Sequence, residues 1–260
     1  MTPAAHVCLT FDVDGEAPGR YAYGEPEREQ ISVRSWGRYG VVRGLPRIRA
    51  LLEELEVYGT FFVPGATVDA FPDAIAATAA AGHEIAHHGY HHYPPHQIPA
   101  DEQRNEIEHG IEAIVRCTGA RPLGYRSPAW EQTPVTWTLV HDAGFVYDSS
   151  LMGDDRPYRE TIAGRSLVEL PVHWALDDFF HFGAHQDGFG PGPTPRAVFE
   201  MWWDEVASAI AEQRATTLTF HPEVVGHAWA FAPFAEFVRR LHADPRIAIV
   251  RCVDLARAHE

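Results

Sequence analysis

The chain of 260 residues is acidic, with 36 Asp and Glu against 21 Lys and Arg and a formal net charge of −15. Surfaces that bind nucleic acid or anionic membranes need clustered cations, and the sequence contains no basic run, so neither partner is expected. With 45% apolar and 22% charged residues, the composition is typical of a globular protein and excludes a disordered chain.

Predicted strands and helices alternate along the whole chain. Short apolar, β-branched or aromatic runs indicate strands at residues 7–11, 60–63, 83–86, 123–125, 145–147, 167–172, 216–220 and 247–251. Apolar residues that recur every three or four positions indicate helices at residues 45–57, 72–81, 101–117, 134–143, 195–212 and 232–242. This alternation predicts an α/β fold of one domain, residues 1–260, in which a mainly parallel sheet forms a (β/α) barrel of seven or eight strands, similar to a TIM barrel.

Two connections, residues 15–42 and 174–194, are longer than most loops in compact domains, and we expect both to wall a substrate site. No apolar run approaches the roughly 18 residues of a membrane span, and residues 1–5 lack the basic and apolar parts of a secretion signal. The three cysteines, Cys8, Cys117 and Cys252, are an odd number and suit a reducing compartment. We therefore expect a cytoplasmic protein.

Residues that can bind a metal or transfer a proton follow most of the predicted strands. In a parallel barrel, the active site forms at the carboxyl ends of the strands, so these residues are expected to converge. In chain order they are Asp12 and Asp14, the run H-H-G-Y-H-H at 87–92, Arg126, Asp148, His173 and His221.

Asp14, His88 and His92 are the candidate metal ligands. The two histidines are four residues apart, which on a helical turn places both imidazoles on one face. A solvated His-rich loop is the alternative for this run. Two imidazoles and one carboxylate leave open positions for water and substrate, and they suit one divalent ion, with Zn expected first and Co, Mn, Fe or Ni as alternatives.

Asp12 and His221 are the candidate proton-transfer groups. Asp12 can take a proton from water, and His221 can donate one to a leaving nitrogen. We expect Arg126 to keep Asp12 ionised and Asp148 to favour the protonated form of His221. The alternative for Arg126 and Asp148 is a structural ion pair, even with each other.

Five ordered segments of the sequence resemble the motifs of the polysaccharide deacetylase family, also known as carbohydrate esterase family 4 or NodB-like proteins. They are T-F-D-V-D (10–14), H-H-G-Y-H-H (87–92), R-S-P-A-W (126–130), Asp148 after Tyr147, and L-T-F-H-P (218–222). The resemblance implies a distorted (β/α) barrel and metal-dependent hydrolysis of an amide, usually the N-acetyl group of a sugar.

The resemblance also implies a role for each matching residue. By position it assigns Asp12 as the base, Asp14, His88 and His92 as metal ligands, Arg126 as the base-orienting residue, His221 as the acid, and Asp148 as the partner of the acid. Leu218 matches the apolar residue that lines the acetyl-methyl pocket. Tyr90, Trp130 and Trp174 are further candidates for substrate contact, since aromatic rings near the mouth of the barrel can stack on a sugar or a planar cyclic amide.

Two positions depart from the usual motifs. Val13 separates the two aspartates of the first motif, and Gly89 stands where Ser or Thr normally follows the first histidine ligand. With the run E-L-P-V-H-W-A-L-D-D at 169–178, these variants resemble a divergent branch of intracellular peptidoglycan-deacetylase-like proteins, cyclic-imide hydrolases and metal-independent allantoinases. That branch implies a homo-oligomer.

The expected partner is an oligosaccharide or small-molecule amide. The first reading is a deacetylase of polysaccharides or N-acetyl sugars. The alternatives are ring opening of a cyclic imide or ureide at the same site, and a catalytically silent carbohydrate-binding protein on the same barrel.

Overall fold

The computed structural model describes residues 3–20, 23–24, 29–183 and 192–259. The strands are β1 (Ala5–Asp12), β2 (Thr60–Val63), β3 (Glu84–His87), β4 (Gly124–Tyr125), β5 (Tyr147–Asp148), β6 (Tyr158–Ile162), β7 (Arg165–Glu169), β8 (Ala215–Phe220) and β9 (Ile247–Ile249). The helices are α1 (Ala17–Arg20), α2 (Ile31–Tyr39), α3 (Leu45–Glu54), α4 (Gly65–Ala70), α5 (Pro72–Ala80), α6 (Ala100–Thr118), α7 (Pro134–Asp142), α8 (Asp178–Phe182), α9 (Pro195–Glu212), α10 (Pro222–Val225), α11 (Ala228–Ala243) and α12 (Cys252–Arg257).

The described strands form one curled sheet in the order β6-β7-β5-β4-β3-β2-β1-β8, and β9 pairs with the start of β1. The pairs are parallel except for the β6–β7 hairpin, which is antiparallel. A single parallel bridge between Asp177 and Thr219 continues the pairing beyond β8. The expected distorted (β/α) barrel is therefore confirmed, and its parallel strands direct their carboxyl ends to one face.

An aromatic cluster fills the space between the central strands and the outer helices. The Phe11 ring of β1 stacks on Phe61 of β2 with ring centroids 4.7 Å apart, and Phe220 of β8 meets Phe234 of α11 at 4.9 Å. All four side chains are fully buried. Because both faces of a parallel sheet are covered, its strands are near-continuous apolar runs, and this pattern made β1, β2 and β8 recognisable in the sequence.

Most predicted elements are present with small shifts at their ends, and α9 has the predicted bounds. The β6–β7 hairpin differs, because β6 is a charged, half-exposed strand at the edge of the sheet and so lacks an apolar run. The two long connections also hold helices, with α1 and α2 in the first and α8 in the second. Over the described residues, no helix combines the length and the apolarity needed to cross a membrane.

Candidate active site

The carboxyl ends of β1, β3 and β8 surround a cavity of about 400 Å³. This volume lies within the range of small-molecule sites, roughly 300–1,000 Å³. The titratable residues that line it are Asp12, Asp14, His88, His92, Asp177, His221 and Glu223. The predicted convergence of these strand ends therefore takes place, and it also gathers two carboxyl groups that were not predicted.

Asp14, His88 and His92 form a compact group that could hold a metal ion. Asp14 Oδ1 lies 3.5 Å from the Nε2 atoms of both His88 and His92. Tetrahedral ligands about 2.1 Å from an ion are about 3.4 Å apart, so this spacing matches a shared cation. Asp14 Oδ1 is buried without a hydrogen-bond partner, which is costly for a carboxylate oxygen unless a cation binds it. The three residues thus fit a divalent ion.

The orientation and charge of His88 also suit a ligand. Its Nδ1 lies 2.7 Å from the carbonyl oxygen of Arg126, which accepts a hydrogen bond and leaves the Nε2 lone pair directed at Asp14. Burial lowers the pKa of His88 to about 4, against the attraction of Asp12. The imidazole is therefore neutral at physiological pH, as a metal ligand must be.

Asp12 is held by Arg126 on one side of the site. Arg126 Nη1 donates to Asp12 Oδ1 at 2.6 Å, and both residues are almost fully buried. Burial alone would raise the pKa of Asp12, but attraction to Arg126, His88 and His221 outweighs it and lowers that pKa. Arg126 is itself fixed, since it donates to Thr10 and Ser149 and lies over the Phe62 ring. Asp12 is therefore an ionised carboxylate in one orientation.

His221 is held by two carboxylates on the opposite side. Its Nδ1 donates to Asp178 Oδ1 at 2.8 Å and lies 3.5 Å from Asp177 Oδ1, while its backbone N–H donates to both oxygens of Asp178 at 3.0 Å. Burial would lower the pKa of His221, but its attraction to Asp177 and Asp178 raises that pKa well above the ordinary value. The imidazole is therefore protonated, and its Nε2 faces Asp14 at 4.0 Å.

Asp178 occupies the position beside His221 that was predicted for Asp148, so that prediction of contact is wrong. Asp148 is fully buried at the end of β5, where it shares the backbone N–H of Ser150 with Glu169. Nor does Asp148 form the alternative ion pair with Arg126, whose carboxylate partner is Asp12. Burial raises the pKa of Asp148. Asp148 follows a strand end in the sequence, but the bridge between Asp177 and Thr219 of β8 places the next residue, Asp178, in contact with His221.

Four aromatic side chains wall the cavity. Trp130 stacks on Trp174 with centroids 4.6 Å apart, and Trp36 stacks on Phe179 at 5.9 Å. Trp36 belongs to α2 and Phe179 to α8, so both long connections contribute to the wall, as predicted. The Phe179 ring also lies beside His221, with ring centroids 5.3 Å apart.

Two of the predicted substrate contacts lie outside the lining of the cavity. Leu218 is fully buried on β8 within the main apolar core. The hydroxyl of Tyr90 donates to Asp69, and its ring packs against Gly65 of α4, where an added Cβ would come within 2.3 Å. Both residues match motif positions, but their side chains point into the surrounding structure.

Sequence reasoning did not identify Asp177, Asp178 and Glu223 as site residues. The first two close the run 169–178 that marks the divergent branch, so their signal was present but unassigned. Trp36 and Glu223 are joined by a hydrogen bond from Trp36 Nε1 to the Glu223 carbonyl at 2.9 Å, a contact across 187 residues that no local pattern reveals.

Fold and site together define a barrel hydrolase with a candidate metal centre. Residues 2–147 match the family described as Polysaccharide deacetylase, which is more than half of the chain. The chain therefore belongs to the polysaccharide deacetylase family. It is a hydrolase of carbon–nitrogen bonds other than peptide bonds, as members of this family remove acyl groups from amides.

Known proteins resemble the chain over most of its length. It is 29% identical over 250 residues to the peptidoglycan deacetylase of Helicobacter pylori, covering 84% of this chain and 83% of that protein. A Mycobacterium smegmatis structure classed as a polysaccharide deacetylase is 37% identical, with a TM-score of 0.90 and coverage of 99% and 91% of the two chains. The Puue allantoinase structure has a TM-score of 0.84 at 24% identity, with coverage of 98% and 90%, and shares the fold.

Proposed function

We propose that this protein is a metal-dependent deacetylase that removes the acetyl group from an N-acetylated amino sugar. One observation carries the proposal. Asp14 Oδ1 is buried without a hydrogen-bond partner 3.5 Å from two imidazole nitrogens, between an ionised Asp12 and a protonated His221. The name of the H. pylori relative, a peptidoglycan deacetylase, supports this substrate class.

Asp14, His88 and His92 would hold the ion. When bound, a divalent ion polarises the amide carbonyl and lowers the pKa of water. Asp12 takes the proton from the attacking water, and Arg126 keeps the carboxylate ionised and oriented for that step. His221 donates its proton to the departing amine, and Asp178 stabilises the imidazolium until then. Asp12 and His221 thus enter the reaction in opposite protonation states.

Ring opening of a small cyclic imide or ureide is the second candidate. It uses the same base and acid, and the aromatic walls of the cavity favour it, because stacked rings such as Trp130 and Trp174 can hold a planar ring. A silent carbohydrate-binding protein is a weaker proposal, since binding alone does not require a carboxylate and an imidazolium on opposite sides of one centre.

A substrate panel separates these candidates. Protein loaded with Zn is assayed for acetate release from oligomers of N-acetylglucosamine and for ring opening of succinimide, hydantoin and allantoin. The proposal predicts acetate release, with metal-free protein as the control. Ring opening without acetate release would support the second candidate. If protein with bound metal acts on none of these substrates, both hydrolase candidates are overturned and the binding protein is favoured.

A further inference from the structure

The turn between the two histidine ligands is a strained segment. His92 adopts a φ of 66° and Gly89 a φ of 72°. The left-handed region is disfavoured for residues with a Cβ, so His92 keeps this conformation only if its surroundings hold it there. At Gly89, an added Cβ would also come within 3.2 Å of Glu106 and Pro128.

Glu106 of α6 accepts hydrogen bonds from this turn. Its Oε2 accepts from the backbone N–H of Tyr90 at 2.9 Å and of His91 at 2.8 Å, and its Oε1 lies 2.7 Å from His91 Nδ1. Glu106 is 5% exposed, so these hydrogen bonds are shielded from water. Hydrogen bonds to a buried carboxylate are about twice as strong as neutral ones.

Helix α4 holds the opposite side of the same turn. The backbone N–H of Gly65 donates to the Gly89 carbonyl at 3.0 Å, and that of Ala66 donates to the Tyr90 carbonyl at 2.9 Å. The turn is thus fixed through its carbonyls by α4 and through two of its N–H groups by Glu106, and a third, that of Gly89, donates to His87 Nδ1 at 3.1 Å. Glu106 acts through a side chain that substitution can remove.

We infer that Glu106 is a positioning residue that holds the His88–His92 turn so that both Nε2 atoms face Asp14. The inference rests on the proposed metal centre. Glu106 does not touch the ligand atoms, so its loss should weaken metal binding by disordering the turn, as loss of an outer hydrogen-bond partner of a ligand does, by about 10–100-fold.

The test measures the dissociation constant of Zn by chelator competition in Glu106→Ala and Glu106→Gln. We expect an increase of about 10–100-fold in the alanine variant and a smaller one in the glutamine variant, whose amide oxygen still accepts from the backbone. Glu108→Gln, an exposed carboxylate on the same helix, is the matched control and should leave the constant unchanged.

The unfolding midpoint of the metal-free proteins separates positioning from general stability, and the glutamine variant serves if the alanine variant does not fold. A lowered midpoint with unchanged Zn affinity in both Glu106 variants would overturn the inference. Failure of the wild-type protein to bind Zn would instead overturn the metal mechanism on which it rests.

A second inference concerns Glu223, which lines the cavity but has no part in the proposed steps. It is 5% exposed, and among the described residues its carboxyl group has a hydrogen bond to its own backbone N–H but none to another side chain. Gly40 makes room for it, since an added Cβ there would come within 2.7 Å of Glu223 Oε2. A buried carboxyl group that contacts no other side chain keeps acceptor positions available for a ligand group in the cavity.

The geometry points to Glu223 as a substrate-binding residue that pairs with a hydroxyl or amide N–H on the ring held between the aromatic walls. The inference deepens the proposed function, because it specifies a ring that carries a hydrogen-bond donor on the side that faces Glu223.

Two measurements on Glu223→Gln and Glu223→Leu test this inference. Tryptophan fluorescence of metal-free protein, titrated with the disaccharide of N-acetylglucosamine, should show binding about 10-fold weaker in the leucine variant and less affected in the glutamine variant. In Zn-loaded protein KM should rise by a similar factor while kcat changes less. Unchanged affinity and KM in the leucine variant would overturn the inference, and a wild-type protein that binds the disaccharide but never releases acetate would overturn the proposed function alone.

Discussion

The two sides of the candidate site hold a charged side chain by opposite means. On the Asp12 side, a carboxylate is buried against one guanidinium, whose nitrogen donates at 2.6 Å and whose other donors are bound by Thr10 and Ser149. On the His221 side, an imidazole is buried between two carboxylates, Asp177 and Asp178. Burial opposes the charged form on both sides, and in each case the partner outweighs it.

The comparison shows how one cavity can contain a base and an acid at the same pH. A carboxylate next to a cation stays ionised, and an imidazole next to carboxylates stays protonated, so each group is ready for its step before the substrate arrives. If this account is correct, changing the partner on one side should alter that side alone. The predictions below remove the two groups or their partners, beginning with the largest expected effect.

Loss of the base should have the largest effect. Asp12→Asn keeps the shape of the side chain but removes the proton acceptor, and general base catalysis typically contributes 10²–10⁴-fold. We expect kcat for acetate release to fall about 10³-fold while bound metal, measured by elemental analysis, stays at the wild-type level. Substantial turnover in this variant would remove Asp12 from the role of base.

Asp178→Asn should lower the pKa of His221, because the imidazolium loses the carboxylate that accepts from its Nδ1 at 2.8 Å. Activity needs the protonated imidazole, so the rate falls as pH rises through that pKa, and the variant should lose activity at a lower pH than the wild type. We expect a decrease of about 10²-fold at pH 8, measured from a pH–rate profile.

Asp148→Asn is the matched control for Asp178→Asn. Asp148 is equally buried but contacts Ser150 and Glu169 and lies apart from the Nδ1 of His221. The basic limb of its pH–rate profile should therefore coincide with that of the wild type. A shift in this variant equal to that of Asp178→Asn would return the role of acid partner to Asp148.

Arg126→Lys should have a smaller effect on the Asp12 side. Lysine keeps the charge but cannot reproduce the planar set of donors that binds Asp12, Thr10 and Ser149 at once. We expect kcat to fall about 30-fold because the base is less well oriented. Steady-state kinetics that showed a change in KM alone would contradict this role.

Trp174→Ala should have the smallest effect of the series. The ring is 40% exposed and stacks on Trp130, so its loss removes contact area from the substrate without touching the proton-transfer groups. We expect KM to rise about 5-fold with kcat nearly unchanged, as for an aromatic contact of about 1 kcal/mol. An equal fall in kcat would show that Trp174 also acts in the chemical step.

The sequence was most informative where structure is local. Strands β1, β2 and β8 are continuous buried runs, and α9 has a regular helical pattern with Thr194 as its N-cap, so their positions could be predicted. Strand β6 could not, because an edge strand with exposed charges resembles a loop in sequence. The residues at the carboxyl ends of β1, β3 and β8 did meet, because parallel strands direct those ends to one face, whereas Asp148 at the end of β5 does not line the cavity.

The partner of His221 could not be predicted from local patterns. Asp178 reaches His221 because the preceding residue, Asp177, pairs with Thr219 of β8. This contact joins segments that are about 40 residues apart in the sequence. The motif order pointed to Asp148 instead, and the position of a residue after a strand does not determine which way its side chain turns. Glu106 was missed for the same reason, since only the packing of α6 on the turn reveals its three contacts.

The central claim is that a metal held by Asp14, His88 and His92 is needed for hydrolysis between Asp12 and His221. Its most direct test is acetate release from N-acetylglucosamine oligomers by chelator-stripped protein as Zn is added back. We predict no turnover without metal and full recovery at one ion per chain. Stripped protein that releases acetate at the rate of the reconstituted protein would contradict the claim.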